Sequence, residues 1–502
     1  MATDESPLTN LSAVAAIAAM RGGDIRAEDY ARALLDRAAA TEPLNAFRTL
    51  DREMVLQAAR AADQYRASGA ALGLLHGLPI PVKDSVNTRA LPTSNGTPAL
   101  QSFRPRDDAE LLQRLFAQGA LLMGKTNLHE LSFGWTSHNM AFGAVHNPFD
   151  TSRSPGGSSG GSAVAVAAHA APLAVAEDTH GSIRVPAALC SLAGLRPTYG
   201  RYPVRGVMPM TLDKFDQLGP LARTVAELAL FDAAATGDHE AVVPAPLKGV
   251  RLGVPANHFF DGLDAEVERL TARALSRLQD AGATLVRVDI PPSIQAGMGI
   301  SMAIIGHELL ASMAAFLAEH GAGITVEQVL AQVSPNIAET LAEAVLPPNG
   351  VPRHAYEQAL RQRKVLVADL AQLYREHVLE ALILPPVLCP APPLDADDEI
   401  LIGGRPVPAH IALGRNNALG TCASMACLVL PVGLTAGGLP VGIELDALPG
   451  RDRRLLALGL SIEQVLGAYS PWPSGSGDGS SGAGIVRSAR SALFSEPSMK
   501  PW

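Results

Sequence analysis

The sequence predicts an α/β fold, a sheet with helices packed on both faces. Three observations carry this expectation. Residues 251–254 and 284–290 are β-rich, and between them Val267, Leu270, Ala274 and Leu278 recur at helical spacing, with Asp264 as a candidate N-cap and Gly282 as a stop. Strand, helix, strand is the grammar of a crossover in a covered sheet. Further apolar runs at 79–83, 120–124, 380–388, 425–433 and 439–445 are interleaved with Ala- and Met-rich helical stretches. Finally, 502 residues at 47% hydrophobic and 18% charged can bury a sizeable core, in one large domain or two or three smaller ones.

In chain order, residues 9–70 read as helical and Ala-rich, with Ser12, Asp24 and Thr41 near candidate starts. A strand ending in Lys83 follows, then a loop over 87–98 rich in Pro, Gly and Asn. Residues 107–118 have helical periodicity, and 120–124 read as a short buried strand. A glycine-rich unit spans 154–184: Ser154-Pro155-Gly156-Gly157-Ser158-Ser159-Gly160-Gly161-Ser162, an uncharged run over 163–176 broken by His169 and Pro172, then Glu177-Asp178-Thr179-His180-Gly181-Ser182-Ile183-Arg184. Residues 292–380 are mostly helical. From Ser474 the composition becomes that of a flexible linker. The expected organisation is a helical region over 1–70 packing on a core over 71–472, with a disordered tail over 473–502.

Composition narrows the function classes. A net charge of −9 without any Lys/Arg block argues against nucleic acid as a partner. The apolar run over 11–20 follows an acidic start and lacks a signal peptide's basic n-region. No membrane span is expected, because the run over 163–176 falls short of the ~20 apolar residues one requires. A cytoplasmic protein is the expectation. Cys190, Cys389, Cys422 and Cys427 form no C-x-x-C pair and read as buried small hydrophobes. His129-Glu130 lacks the second histidine of a zinc helix, so no metal or cofactor is implied.

The chemistry lies in the two serine-centred glycine turns. Taken alone, residues 156–162 read equally well as a linker, but they run directly into a stretch too apolar to be exposed. A phosphate loop is excluded by the missing Gly-Lys-Ser/Thr ending. The turn at Ser182 is either a solvated tight turn or a held nucleophile. Asp178 and Arg184 flank it in apolar surroundings, where charges are seldom buried unpaired, so their pairing would brace it. Lys83 alone is most simply an exposed lysine at a strand end.

Together these segments resemble the amidase signature family of serine hydrolases. Pro79-Ile80-Pro81-Val82-Lys83-Asp84, Pro155 through Ser162, and Asp178 through Ala187 match three of its marks. Gly124-Lys125-Thr126-Asn127, Gly194-Leu195-Arg196-Pro197 and Gly438-Leu439-Pro440-Val441-Gly442 extend the resemblance, which runs from about residue 28 to 472. It implies one large α/β/α catalytic domain around a mixed, mostly parallel sheet. It also implies Ser182 as nucleophile, Ser158 as bridging serine across a cis Gly157–Ser158 peptide, and Lys83 as base. A serine hydroxyl needs a neighbouring base, and lysine serves only when burial brings its pKa down. The backbone N–H groups of Thr179, His180, Gly181 and Ser182 would form the oxyanion hole. His180 stands where the family usually has glycine, so its ring either meets the substrate or packs beside the turn. Glu177, where small residues are common, is a carboxylate that could bind His180.

The family hydrolyses carboxylic amides, and some members cleave carbamates, ureas or esters. Arg201-Tyr202-Pro203, Val207-Met208-Pro209 and Gly442-Ile443-Glu444 are nearest to arylalkyl-amide hydrolases of the indoleacetamide and mandelamide type. Phe133 and Trp135 are candidate pocket walls, and the Met-rich segment 298–302 is another. The expected partner is therefore a small amide or carbamate, with a homodimer through the N-terminal helices as a candidate assembly. Two other readings stand beside this one: a glutamine-amide-cleaving component of a transfer-RNA amidotransferase, and a non-catalytic binding protein on the same fold.

Overall fold

A computed structural model describes residues 6–255 and 257–467 of the chain. The tail expected over 473–502 lies outside the described residues. Thirteen strands occur among them: Phe47–Thr49 (β1), Pro79–Lys83 (β2), Leu121–Thr126 (β3), Leu173–Asp178 (β4), Ala193–Arg196 (β5), Gln217–Ala222 (β6), Arg251–Pro255 (β7), Thr284–Val288 (β8), Ala381–Leu384 (β9), Glu399–Ile402 (β10), Arg405–Pro408 (β11), Ala426–Leu434 (β12) and Pro440–Ala447 (β13). Eleven form one sheet in the order β1-β3-β2-β4-β6-β5-β12-β13-β9-β7-β8, and β10 with β11 makes a separate hairpin. Strands β2, β4, β6 and β13 are buried along their whole length, as expected of central strands covered on both faces.

The large mixed sheet and its helical layers are the fold the sequence predicts. The balance of strand directions differs from the expected one. Parallel pairing is confined to β3–β2–β4 near one end and β9–β7–β8 at the other. The pairs β1–β3, β4–β6, β6–β5, β5–β12, β12–β13 and β13–β9 are antiparallel. Chain length between strands accounts for part of this. Only the five residues Thr435-Ala436-Gly437-Gly438-Leu439 join β12 to β13, which permits a hairpin and no crossover.

The N-terminal region is helical over Ala13–Gly22, Ala27–Ala40 and Arg52–Ala67, with the short β1 between the last two. Ser12 caps the first helix by accepting the Ala15 N–H at 3.1 Å, whereas the second begins after Arg26 and the third is capped by Asp51. Asp24 therefore does not start a helix, and Thr41 precedes only the single 3-10 turn Glu42–Leu44. Ala16, Ile17, Tyr30 and Leu34 of these helices join the same apolar cluster as Val82 and Val175. The Ala13 N–H also donates to Glu227 Oε1 at 2.6 Å.

Among the described residues one helix, Gly297–Glu319, is long and apolar enough to cross a membrane, with a mean hydropathy of 1.7, a feature not expected from the sequence. Its Ile304, Ile305, Met313 and Phe316 are instead buried in one cluster with Leu366 and Leu370 of the helix Arg353–His377. It forms part of the roof over the site described next. The four cysteines are buried and unpaired.

Candidate active site

Lys83 ends β2 and Asp178 ends β4, and these neighbours run parallel with Val82 beside Val175. Their C-terminal ends therefore open on one edge of the sheet, where covered α/β sheets place ligands. Ser158 lies just ahead of the helix Gly160–Ala167. That helix starts hard against neighbouring backbone: a Cβ on Gly161 would stand 2.3 Å from the Asn127 carbonyl oxygen and 2.5 Å from that of Ala46. Only glycine permits this approach.

The three groups singled out from the sequence meet here. Lys83 Nζ is 2.7 Å from Ser158 Oγ, and Ser158 Oγ is 2.9 Å from Ser182 Oγ. The Gly157–Ser158 peptide is cis. Lys83 and Ser158 are fully enclosed, whereas Ser182 is 5% exposed and lines a cavity of about 370 Å³. Burial pushes the Lys83 pKa down, against the opposing pull of the Glu177, Asp178 and Asp216 carboxylates. A lysine that gives up its proton more readily is the kind of base the serine pair needs.

The turn carrying Ser182 is braced from below. Asp178 accepts the N–H of Gly181 at 2.8 Å and of Ile183 at 3.0 Å. Arg184 donates to Asp178 through Nε and Nη2, each at 3.1 Å, so the pairing expected from the sequence is present. The same guanidinium donates to Glu444 Oε1 at 3.0 Å, the Asn417 carbonyl at 2.8 Å and Thr421 Oγ1 at 3.0 Å. Burial alone would raise the Asp178 pKa, but Arg184 and then Arg196 hold it well below the usual carboxylate range.

Two expectations about this turn are corrected. The N–H of Gly181 is directed at Asp178 rather than at a substrate, leaving those of Thr179, His180 and Ser182 as the oxyanion candidates. Glu177 does not bind His180. It reaches Lys83 Nζ at 2.7 Å, and its Oε1 lies 2.8 Å from the Thr179 hydroxyl. His180 turns the other way, with Nε2 at 2.9 Å from Ser301 Oγ on the roof helix. Burial brings its imidazole down to about 3, so the ring is neutral. Histidine is tolerated here because the positive φ of the turn (99°) falls on Gly181. A Cβ on Gly181 would stand 2.8 Å from Asn417 Cγ. Gly181→Ala is accordingly expected to lower kcat by at least ~100-fold, the scale of one misplaced oxyanion donor, as measured by steady-state kinetics.

Phe133 and Trp135 both line the cavity, together with His180, Met302 and Ile305. Trp135 Nε1 donates to the His180 carbonyl at 2.9 Å, and the two rings meet edge to face. Met302 falls in the Met-rich segment singled out from the sequence. Ser301 falls there too, whereas Ile305, Asn417 and Thr421 carry no local signal, since each lies more than a hundred residues from the turn in sequence.

Comparison with known proteins decides the family. The Amidase family model matches residues 29–456. The chain belongs to the amidase family. It is 34% identical over 462 residues to the indoleacetamide hydrolase of Agrobacterium vitis, covering 92% of this chain and 97% of that one. It is 34% identical over 490 residues to the mandelamide hydrolase of Pseudomonas putida, covering 94% of each. A glutamyl-tRNA(Gln) amidotransferase subunit of Chloroflexus aggregans is 34% identical over 483 residues, covering 91% of this chain and 96% of that one. Among solved structures, an amidase superposes with a TM-score of 0.81 at 31% identity, covering 91% of this chain and 100% of that one. The amidase is thus an enzyme that hydrolyses amide C–N bonds.

Proposed function

We propose that this amidase hydrolyses small to medium amides with an apolar, aromatic part, through an acyl-enzyme on Ser182. The observation that carries the reading is the unbroken contact from Ser182 Oγ through Ser158 Oγ to Lys83 Nζ, opening on a cavity walled by Phe133, Trp135, Met302 and Ile305. Ser182 attacks the amide carbonyl while its proton passes to Ser158 and the Ser158 proton passes to neutral Lys83. The N–H groups of Thr179, His180 and Ser182 receive the developing negative charge. The relay then runs in reverse, protonating the leaving amine, and water attacks the acyl-enzyme. A cavity of about 370 Å³ suits a ligand with one or two rings.

Phe133 is the cleaner probe of the pocket, because Trp135 also holds the His180 carbonyl. Phe133→Ala is expected to lower kcat/KM for an arylalkyl amide about tenfold or more, from the ~1.5–3 kcal/mol of lost apolar burial. Acetamide turnover should change little, and parallel kinetics on the two substrates check this.

Similarity to the amidotransferase component favours a second reading, a glutamine amide as substrate within a complex. A panel of arylalkyl amide, aliphatic amide, aryl carbamate, ester and glutamine separates the two. Preferred turnover of the arylalkyl amide by the isolated chain supports the first reading. Glutamine turnover alone, or turnover appearing only with a second protein chain, supports the other.

A further inference from the structure

Thr179 Oγ1 lies 2.8 Å from Glu177 Oε1 and 2.7 Å from Asp216 Oδ1. A hydroxyl has one proton to donate. It satisfies one of these carboxyls, and the other contact becomes a hydrogen bond only when that carboxyl carries a proton of its own. All three residues are buried, the most accessible being Asp216 at 5%. Two bare carboxylates around one hydroxyl would leave an oxygen–oxygen contact unbridged in a low-dielectric site.

Lys83 poses the complementary requirement. As a base it presents its lone pair to Ser158 and has two N–H bonds left. Its remaining neighbours are Glu177 Oε2 at 2.7 Å and the Glu177 carbonyl oxygen at 3.4 Å, so a neutral amine is matched donor for acceptor. The two carboxyls differ in their other partners. Asp216 accepts the N–H of Met210 at 2.8 Å, that of Thr211 at 3.0 Å, and the Thr211 hydroxyl. Donors of this kind favour an ionised carboxylate. The Glu177 carboxyl has only Lys83 and Thr179.

We propose that Glu177 holds the proton Lys83 gives up, so that the resting enzyme pairs a neutral Lys83 amine with a neutral Glu177 acid. The Glu177 Oε1–H donates to Thr179, whose hydroxyl donates to the Asp216 carboxylate. This rests on Lys83 being the base of the proposed relay. In forming the pair, one N–H bond of the ammonium breaks and one O–H bond of the carboxylic acid forms, with no other reactant. When Lys83 later takes the serine proton, the charge on Lys83, Glu177 and Asp216 together goes from −1 to zero. Glu177 is thus a positioning residue that sets the protonation state of the base.

The other charged groups around the pair are already matched. Asp178, beside Glu177 on β4, is held by Arg184 and by Arg196 Nε at 3.3 Å. Lys125 on β3 pairs with Asp84 at 3.3 Å. His129 is pulled down by burial to about 4 and is neutral. Burial, and then any negative charge on Glu177, pushes Asp216 up, so two ionised carboxylates oppose each other here.

Infrared difference spectra of the full-length protein in water and deuterium oxide test this without any turnover. The proposal predicts that a neutral-acid carbonyl band is lost in Glu177→Gln and kept in Asp216→Asn. Failure of the substrate panel would leave this result readable. No band in the wild type minus Glu177→Gln difference overturns the proposal, and so does its loss in Asp216→Asn with Glu177 intact. Kinetics give a second reading, because glutamine mimics the neutral acid and cannot titrate. Glu177→Gln should restore at least tenfold of the kcat lost in Glu177→Ala. Equal loss in both variants would overturn the assignment.

Discussion

Ser182→Ala is expected to lower amide turnover by at least about 10⁴-fold, the scale on which serine hydrolases lose kcat when nucleophile or base is removed. Lys83→Met, close to the native side chain in length and shape, should lose a similar factor. The double variant should fall little further than either single one. The relay explains this non-additivity: Ser182 Oγ, Ser158 Oγ and Lys83 Nζ are linked at 2.9 and 2.7 Å, and a break anywhere disables the whole. Thermal melts of Ser182→Ala should stay near the wild type, because only one hydroxyl at the cavity wall is removed. The pH dependence has a definite sign. Lysine acts as base only when neutral, so activity falls as pH drops through the pKa of Lys83. Burial lowers that pKa and so extends activity toward neutral pH.

The second large effect is on stability. Arg184 is fully buried, and its five N–H bonds all have acceptors in Asp178, Glu444, Asn417 and Thr421. Arg184→Met removes the cation and strands carboxylates that are themselves fully buried. Breaking a buried pair from one side costs about 3–5 kcal/mol. That is a large share of the ~5–15 kcal/mol by which a domain is stable. Chemical denaturation should show the loss directly. Turnover should fall as well, since Asp178 holds the N–H groups of Gly181 and Ile183 on either side of the nucleophile.

The relay was legible in the sequence because its parts sit in contiguous, unusual strings. Ser158 and Ser182 are marked by glycine turns around an uncharged run, and Asp178 and Arg184 are charges where burial was expected. Lys83 became legible only through the resemblance that joins those strings. The sheet was legible as mixed but not in its directions, which depend on pairings such as β5 with β12 between segments more than two hundred residues apart. Glu177 was misjudged for a related reason. Its carboxyl meets Lys83 on the neighbouring strand β2, at 2.7 Å, and a single chain does not reveal strand order. Beyond the Met-rich segment 298–302, residues from the roof helix and from 415–421 were invisible, since buried apolar and amide side chains look alike wherever they pack.

The central claim is that the reaction passes through an ester on Ser182. The most direct measurement is intact-mass and peptide-mapping mass spectrometry of the enzyme quenched early in turnover of an arylalkyl ester or aryl carbamate, whose acyl group is released slowly. The predicted result is a single added acyl mass on the peptide containing Ser182, absent in Ser182→Ala. Turnover without such an adduct, or an adduct on another residue with Ser182 unmodified, would contradict the account.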